Sequence, residues 1–169
     1  LIAYRFEGYW KDVGTLESLW DANMDMLSRG DLDLLDSDWP IYARIPNQPP
    51  AFMGKNAKVE HTVATQGCEI YGEAFNSVLS DSVVIEEGAQ VRYSVLMPGV
   101  RVKKGAKVEY AIVGEGVQIG EEAKVGGDPM EVDPDKWGIA VLGPGAVIAS
   151  GETVAPKTML NRKHEEVSR

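Results

Sequence analysis

Ser77-Val78-Leu79 … Val83-Val84-Ile85-Glu86-Glu87-Gly88-Ala89-Gln90-Val91 returns 17 residues later as Ser94-Val95-Leu96 … Val100-Arg101-Val102-Lys103-Lys104-Gly105-Ala106-Lys107-Val108. It returns again as Ala111-Ile112-Val113 … Val117-Gln118-Ile119-Gly120-Glu121-Glu122-Ala123-Lys124-Val125. The offsets coincide throughout: Val78/Val95/Ile112, Val83/Val100/Val117, Ile85/Val102/Ile119, Ala89/Ala106/Ala123 and Ala74/Val91/Val108/Val125. A fixed period with small or β-branched residues at fixed offsets specifies a solenoid, in which each turn stacks on the one before. A β-sandwich also has short strands at regular spacing, but it does not repeat its offsets in this way.

Within a period the apolar steps fall at Ile85, Val91 and Leu96, then at Val102, Val108 and Val113. Three steps per period predict a three-faced coil with one inward residue per face. Val and Ile suit a pleated inner surface. Glu86-Glu87-Gly88 and Lys103-Lys104-Gly105 fall between steps and predict corners. Less regular coils begin at Ala51, where Ala57, Val59 and Val63 precede Cys68 and Ile70. Cys68 takes the place of a small inward residue. Pro129 and Pro134 break the period over 126–138, predicting a projecting loop before the coils resume at Ile139. Trp137 in that loop is suited to seal a coil edge or to meet another subunit.

The 169 residues carry a formal charge of −9, which argues against nucleic acid or an anionic membrane as main partner. The single cysteine fits a reducing cytoplasm. The chain has no apolar run of membrane-spanning length and no signal peptide at its start. It opens on Leu1 inside a strand-like stretch and reads as a piece of a longer protein.

Upstream of the coils, Ile2, Tyr4 and Phe6 alternate with Arg5 and Glu7, predicting a strand over 1–10. Tyr9 to Val13 forms a short second element between Gly8 and Gly14. Thr15 is a credible N-cap for a helix with Leu16, Leu19, Trp20, Met24 and Leu27 on one face and Gly30 as its stop. A stripe of that size should pack on the coils or on a second copy. Asp25, Asp31, Asp33 and Asp36 read as a solvated helix face and linker. Residues 1–35 thus read as the end of another domain, 36–50 as a Pro-rich connector, 51–160 as the coils and 161–169 as a charged tail.

Tyr4-Arg5-Phe6-Glu7-Gly8-Tyr9-Trp10-Lys11-Asp12-Val13-Gly14-Thr15, then Ser18-Leu19-Trp20-Asp21-Ala22-Asn23-Met24, resembles the sugar-nucleotide pyrophosphorylases. Trp39-Pro40-Ile41-Tyr42 and Asn47-Gln48-Pro49-Pro50 narrow the resemblance to the glucose-1-phosphate adenylyltransferases of bacterial glycogen synthesis. It covers residues 1 to about 155. The implied fold is a left-handed parallel β-helix of hexapeptide type, preceded by a strand–helix remnant of an α/β nucleotidyltransferase domain.

The resemblance implies a reaction joining ATP to glucose 1-phosphate, with pyrophosphate released and magnesium held by two aspartates. It places one metal aspartate at Asp12 and a sugar-pocket aromatic at Trp10. Magnesium would neutralise charge developing as the sugar phosphate attacks the α-phosphorus. Read without the resemblance, Asp12 is a turn or cap residue before Gly14. Tyr9 and Lys11 read as structural neighbours. The family's glycine-rich nucleotide loop, second metal aspartate and sugar-phosphate lysine have no counterpart in this sequence, so these residues alone should not catalyse the reaction or bind its substrates usefully. The resemblance also implies tetramers joined through the β-helix and activation by an anionic glycolytic intermediate. Arg101, Lys103, Lys104 and Lys107 form one basic cluster for such an effector, and Lys157, Arg162 and Lys163 another. Solvated corner lysines are the alternative.

Three rival readings are distinguishable. A hexapeptide acyltransferase would carry a general-base histidine in its coils, yet His61 and His164 both fall outside 77–125. A pyrophosphorylase for another sugar, such as mannose 1-phosphate, is disfavoured by Asn47-Gln48-Pro49-Pro50. A purely structural assembly module is the third.

Overall fold

The computed structural model describes residues 1–28, 38, 40–42 and 47–161. Among the described residues, eighteen short strands form three parallel sheets of six, and each sheet takes every third strand in chain order. The chain therefore visits the three faces in turn and climbs one coil per circuit. The expected β-helix is present, and its register matches the repeat. Val84 pairs with Arg101 and then Gln118 on the first face, Val91 with Val108 and Val125 on the second, and Val95 with Ile112 on the third.

The inward positions are those the period marks. Ile85, Val102, Ile119, Val91, Val108, Leu96, Val113, Ala89, Ala106 and Ala123 are wholly buried in one continuous core. Cys68 is part of it; burial pushes its thiol pKa up, which makes it an inert packing residue. The second coil is tighter than the rest, with Lys58 bonded to Glu73 only 15 positions along. Its corner after Ile70 is just Tyr71-Gly72, where the next coil has Glu86-Glu87-Gly88-Ala89. Gly72 is required there, because a Cβ would collide with the carbonyl oxygens of Ala89 and Glu86.

One corner is built without glycine. His61, Asn76, Tyr93 and Tyr110 all hold φ between 45 and 49°. Such backbone costs about 1 kcal/mol or more per non-glycine residue, so the side chains must return something. Tyr93 and Tyr110 stack with centroids 4.7 Å apart, and His61 Nδ1 lies 2.7 Å from Asn76 Oδ1. Beneath this ladder the buried Ser77 and Ser94 donate to the carbonyls of Phe75 and Arg92 at 2.8 Å. The same hydroxyls accept the N–H groups of Ser94 and Ala111 from the next coil. Two buried polar groups per corner are satisfied by one hydroxyl.

The predicted helix forms as Leu16–Asp25 (α1), with Thr15 as N-cap in a reciprocal capping box with Ser18. It ends at Met26, earlier than the predicted glycine stop; Gly30 lies outside the described residues. Its stripe packs within the chain, on the outer side of the third sheet. Leu16, Leu19, Trp20 and Met24 cover Val95, Ile112 and Ile139 together with Tyr110 and Trp137. The expected strand over 1–10 does not form: residues 1–13 have no regular structure and mostly face solvent. Alternation alone cannot make a strand, because a strand needs a partner edge for its backbone groups. The loop over 126–138 is present. Trp137 seals the coil edge, donating Nε1–H to Gly127 O at 2.9 Å with its ring edge-on to Tyr110.

Candidate functional site

Residues 9–12 alternate in burial, with Tyr9 and Lys11 half-buried and Trp10 and Asp12 exposed. Tyr9 donates its phenol proton to Asp25 Oδ2 at 2.9 Å, and Lys11 Nζ donates to the same oxygen at 2.7 Å. Lys11 also lies 3.6 Å from Asp21. Asp25 is therefore still partly solvated, as its sequence context predicts, but it also serves as an anchor at the end of α1. The Lys11 bond, then the Tyr9 bond, hold the Asp25 carboxyl below its ordinary range. The Asp25 bond raises Lys11. Burial, then the Asp25 bond, raise Tyr9. A depressed carboxylate contributes above its unfolded pKa of about 3.9 and is lost as pH falls through the folded value. A raised lysine contributes below about 10.4 and is lost as pH climbs through its folded value. The clamp thus spans the whole neutral range and opens only in acid or strong base.

With Tyr9 and Lys11 turned to the helix, Trp10 is 76% exposed and shares the open side with Asp12. Asp12 Oδ1 accepts the Gly14 N–H at 3.1 Å, the turn arrangement that its position before glycine predicts. Among the described residues no group of three or more His, Cys, Asp or Glu is placed to hold a metal ion. Magnesium takes an octahedral oxygen shell from one or two carboxylates plus waters and phosphates. Asp12 fits as one such carboxylate, but the described residues do not make a complete metal site.

The basic residues on the coil do not converge. Arg101 lies on the first sheet and Lys107 on the second, with Lys103 and Lys104 at the corner between them. Glu86 lies 3.6 Å from Arg101 and accepts the Lys104 backbone N–H at 3.1 Å. Lys104 borders a shallow cleft of about 260 Å3, which Tyr71, Glu86 and Glu87 also line. Lys157 is exposed at the C-terminal coil. Arg162, Lys163 and His164 lie outside the described residues. His61 sits at the first non-glycine corner, its two ring nitrogens against Asn76 Oδ1 and, at 3.1 Å, Leu27 O. The Nε2 contact ties the chain after α1 to the coil, and the Nδ1 contact ties this corner to the next. No helix among the described residues is long and apolar enough to cross a membrane.

The chain is similar to proteins named glucose-1-phosphate adenylyltransferase. It is 52% identical over 92 residues to those of Bacillus thuringiensis (strain Al Hakam) and Bacillus anthracis, and 51% identical to that of Bacillus mycoides (strain KBAB4). Each match takes 54% of this chain but only 24% of the relative, so the matched region spans about a quarter of those proteins. The GlmU-like, C-terminal hexapeptide model matches residues 49–148, which take in all of the coils and their loop except the last two strands, Thr153–Val154 and Met159–Leu160. That is more than half of the chain, which belongs to the GlmU-like C-terminal hexapeptide family.

Proposed function

We propose that this chain supplies the β-helix, and the helix docked on it, of a cytoplasmic enzyme that makes ADP-glucose and pyrophosphate from ATP and glucose 1-phosphate. The observation that carries this reading is the 52% identity to proteins named for that transfer. The placement of Trp10 and Asp12 supports it. Both are displayed on the open side of a stretch that the β-helix holds through α1, where a nucleotide-binding portion of the enzyme could reach them. Trp10 would face the sugar, and Asp12 would be one of two carboxylates on magnesium, the other coming from outside these residues. The metal would neutralise charge on the transferring phosphates.

The coils would serve assembly and regulation. The first coil leaves Phe52 54% and Met53 45% exposed beside strands paired on one side only, a surface suited to a subunit contact in a tetramer. Arg101, Lys103, Lys104 and Lys107 are the candidate contacts for an anionic glycolytic effector. The acyltransferase alternative finds no support in His61, whose nitrogens are both engaged in structural contacts.

Pyrophosphate release by the whole enzyme tests the reading, with ATP and magnesium and either glucose 1-phosphate or mannose 1-phosphate as acceptor. Turnover confined to glucose 1-phosphate, and lowered by orders of magnitude in Asp12→Asn with the oligomer intact, is expected. Turnover on mannose 1-phosphate alone, or none on either sugar, would overturn it.

A further inference from the structure

We infer that Asp25 is a positioning residue for the sugar-phosphate end of the reaction, an inference that rests on the proposed function. Trp10 and Asp12 are both exposed and belong to a stretch without regular structure. A covalent path alone would leave them free to sample many orientations, and each ordered residue costs about 1–2 kcal/mol of backbone entropy. The residues that alternate with them remove much of that freedom. Tyr9 Oη at 2.9 Å and Lys11 Nζ at 2.7 Å converge on a single oxygen, Asp25 Oδ2. Tethering the residues before and after Trp10 to one atom fixes which way Trp10 can point. Tethering Lys11 does the same for Asp12, whose carboxylate is further oriented by the Gly14 N–H.

The anchor is itself rigid. Asp25 closes a helix whose Trp20 donates Nε1–H to Tyr93 O at 2.8 Å and lies 6.1 Å from the Tyr110 ring. The path runs from the coil core through the Tyr93–Tyr110 stack to α1, and from Asp25 to Tyr9 and Lys11. An ion pair this exposed adds little stability. Its value lies in orientation, where an error of about 1 Å at a binding residue can cost a hundredfold in rate. Trp10 and Asp12 would touch substrate and metal; Asp25 would touch neither and act through Tyr9 and Lys11.

The test is steady-state kinetics of the whole enzyme with Asp25→Asn, Asp25→Glu and Lys11→Met, with thermal midpoints recorded alongside. Asp25→Asn keeps shape but removes the charge that gathers both donors. It is expected to raise KM for glucose 1-phosphate about tenfold. kcat should fall as well, because Asp12 loses the same tether, while the thermal midpoint should stay close to wild type. Asp25→Glu should recover part of the loss, and Lys11→Met should move the same KM even if Asp25→Asn fails to fold. An active wild type whose KM for glucose 1-phosphate is unmoved in both Asp25→Asn and Lys11→Met would overturn the inference alone. A loss of thermal stability with no change in KM would overturn it too, by showing a merely structural role. A wild-type enzyme without turnover would overturn the reading beneath it.

Discussion

In coils 77–125 each inward side chain is packed between its own counterparts one coil above and below, whereas residues 1–28 have no repeat of themselves and lean on a surface the coils provide. Ile85, Val102 and Ile119 stack in register and are wholly buried. Helix α1 has no fully buried residue, and its stripe is covered on one side only. The coils therefore draw stability from nearest-neighbour contacts, which a periodic sequence supplies automatically. The helix depends on a single docking surface. Loss of the coils should release the helix, but loss of the helix should leave the coils.

The largest effect should come from Val102→Asp. A carboxylate thrust into the narrow apolar core costs several kcal/mol, and the coils should unfold and release α1 with them. One position along, Lys103→Asp should change stability by about 0.5 kcal/mol or less. Similar shifts in thermal midpoint for these two neighbours would mean that inside and outside are misplaced.

A smaller effect is expected from Trp20→Ala, about 2 kcal/mol, because the ring is only partly buried. It removes the bond to Tyr93 O and the contact with Tyr110. Limited proteolysis should then cut within residues 1–28, while the sheet signal in circular dichroism melts where it did before. A joint shift of both transitions would show that helix and coils form one cooperative unit, and the contrast would fail.

An effect smaller still than that of Trp20→Ala is expected from Ser94→Ala. It takes away the acceptor of the buried Ala111 N–H and the donor to Arg92 O, at a cost of about 1–2 kcal/mol. Hydrogen exchange should quicken at Ala111 and Ile112 and not three coils away. Uniform quickening along the solenoid would argue against nearest-neighbour stabilisation.

The coils were readable because their chemistry is local and repeated. A period of 17 places Val102 between Ile85 and Ile119 whatever else the chain does. The doubled apolar steps Val78-Leu79, Val95-Leu96, Ile112-Val113 and Val141-Leu142 carried a further signal. Leu79, Leu96, Val113 and Leu142 fill the core, while Val95 and Ile112 are buried in a separate cluster beneath α1, Tyr110 and Trp137. Where a step is single, as in Arg101-Val102 or Lys107-Val108, the outward residue is exposed. The strand expected over 1–10 failed for the opposite reason, since its alternation had no edge to pair with.

Asp25 escaped the sequence reading because its two partners lie 14 and 16 positions away, outside any helical or strand spacing. Trp137 was suited equally to sealing a coil or meeting a subunit until its bond to Gly127 O placed it on the coil edge.

The sequence by itself determined the three-faced solenoid, its inward residues, its interruption at 126–138 and the start of the helix at Thr15. Each follows from periodicity, capping or proline chemistry acting over a few residues or one coil. The tertiary structure decided which face of the coil the helix covers, and that Tyr9 and Lys11 meet on one oxygen of Asp25. It also decided that Trp10 and Asp12 share the open side. Those outcomes depend on contacts such as Trp20 to Tyr93, 73 positions apart, where shape complementarity between finished elements selects the partner and no local spacing encodes it.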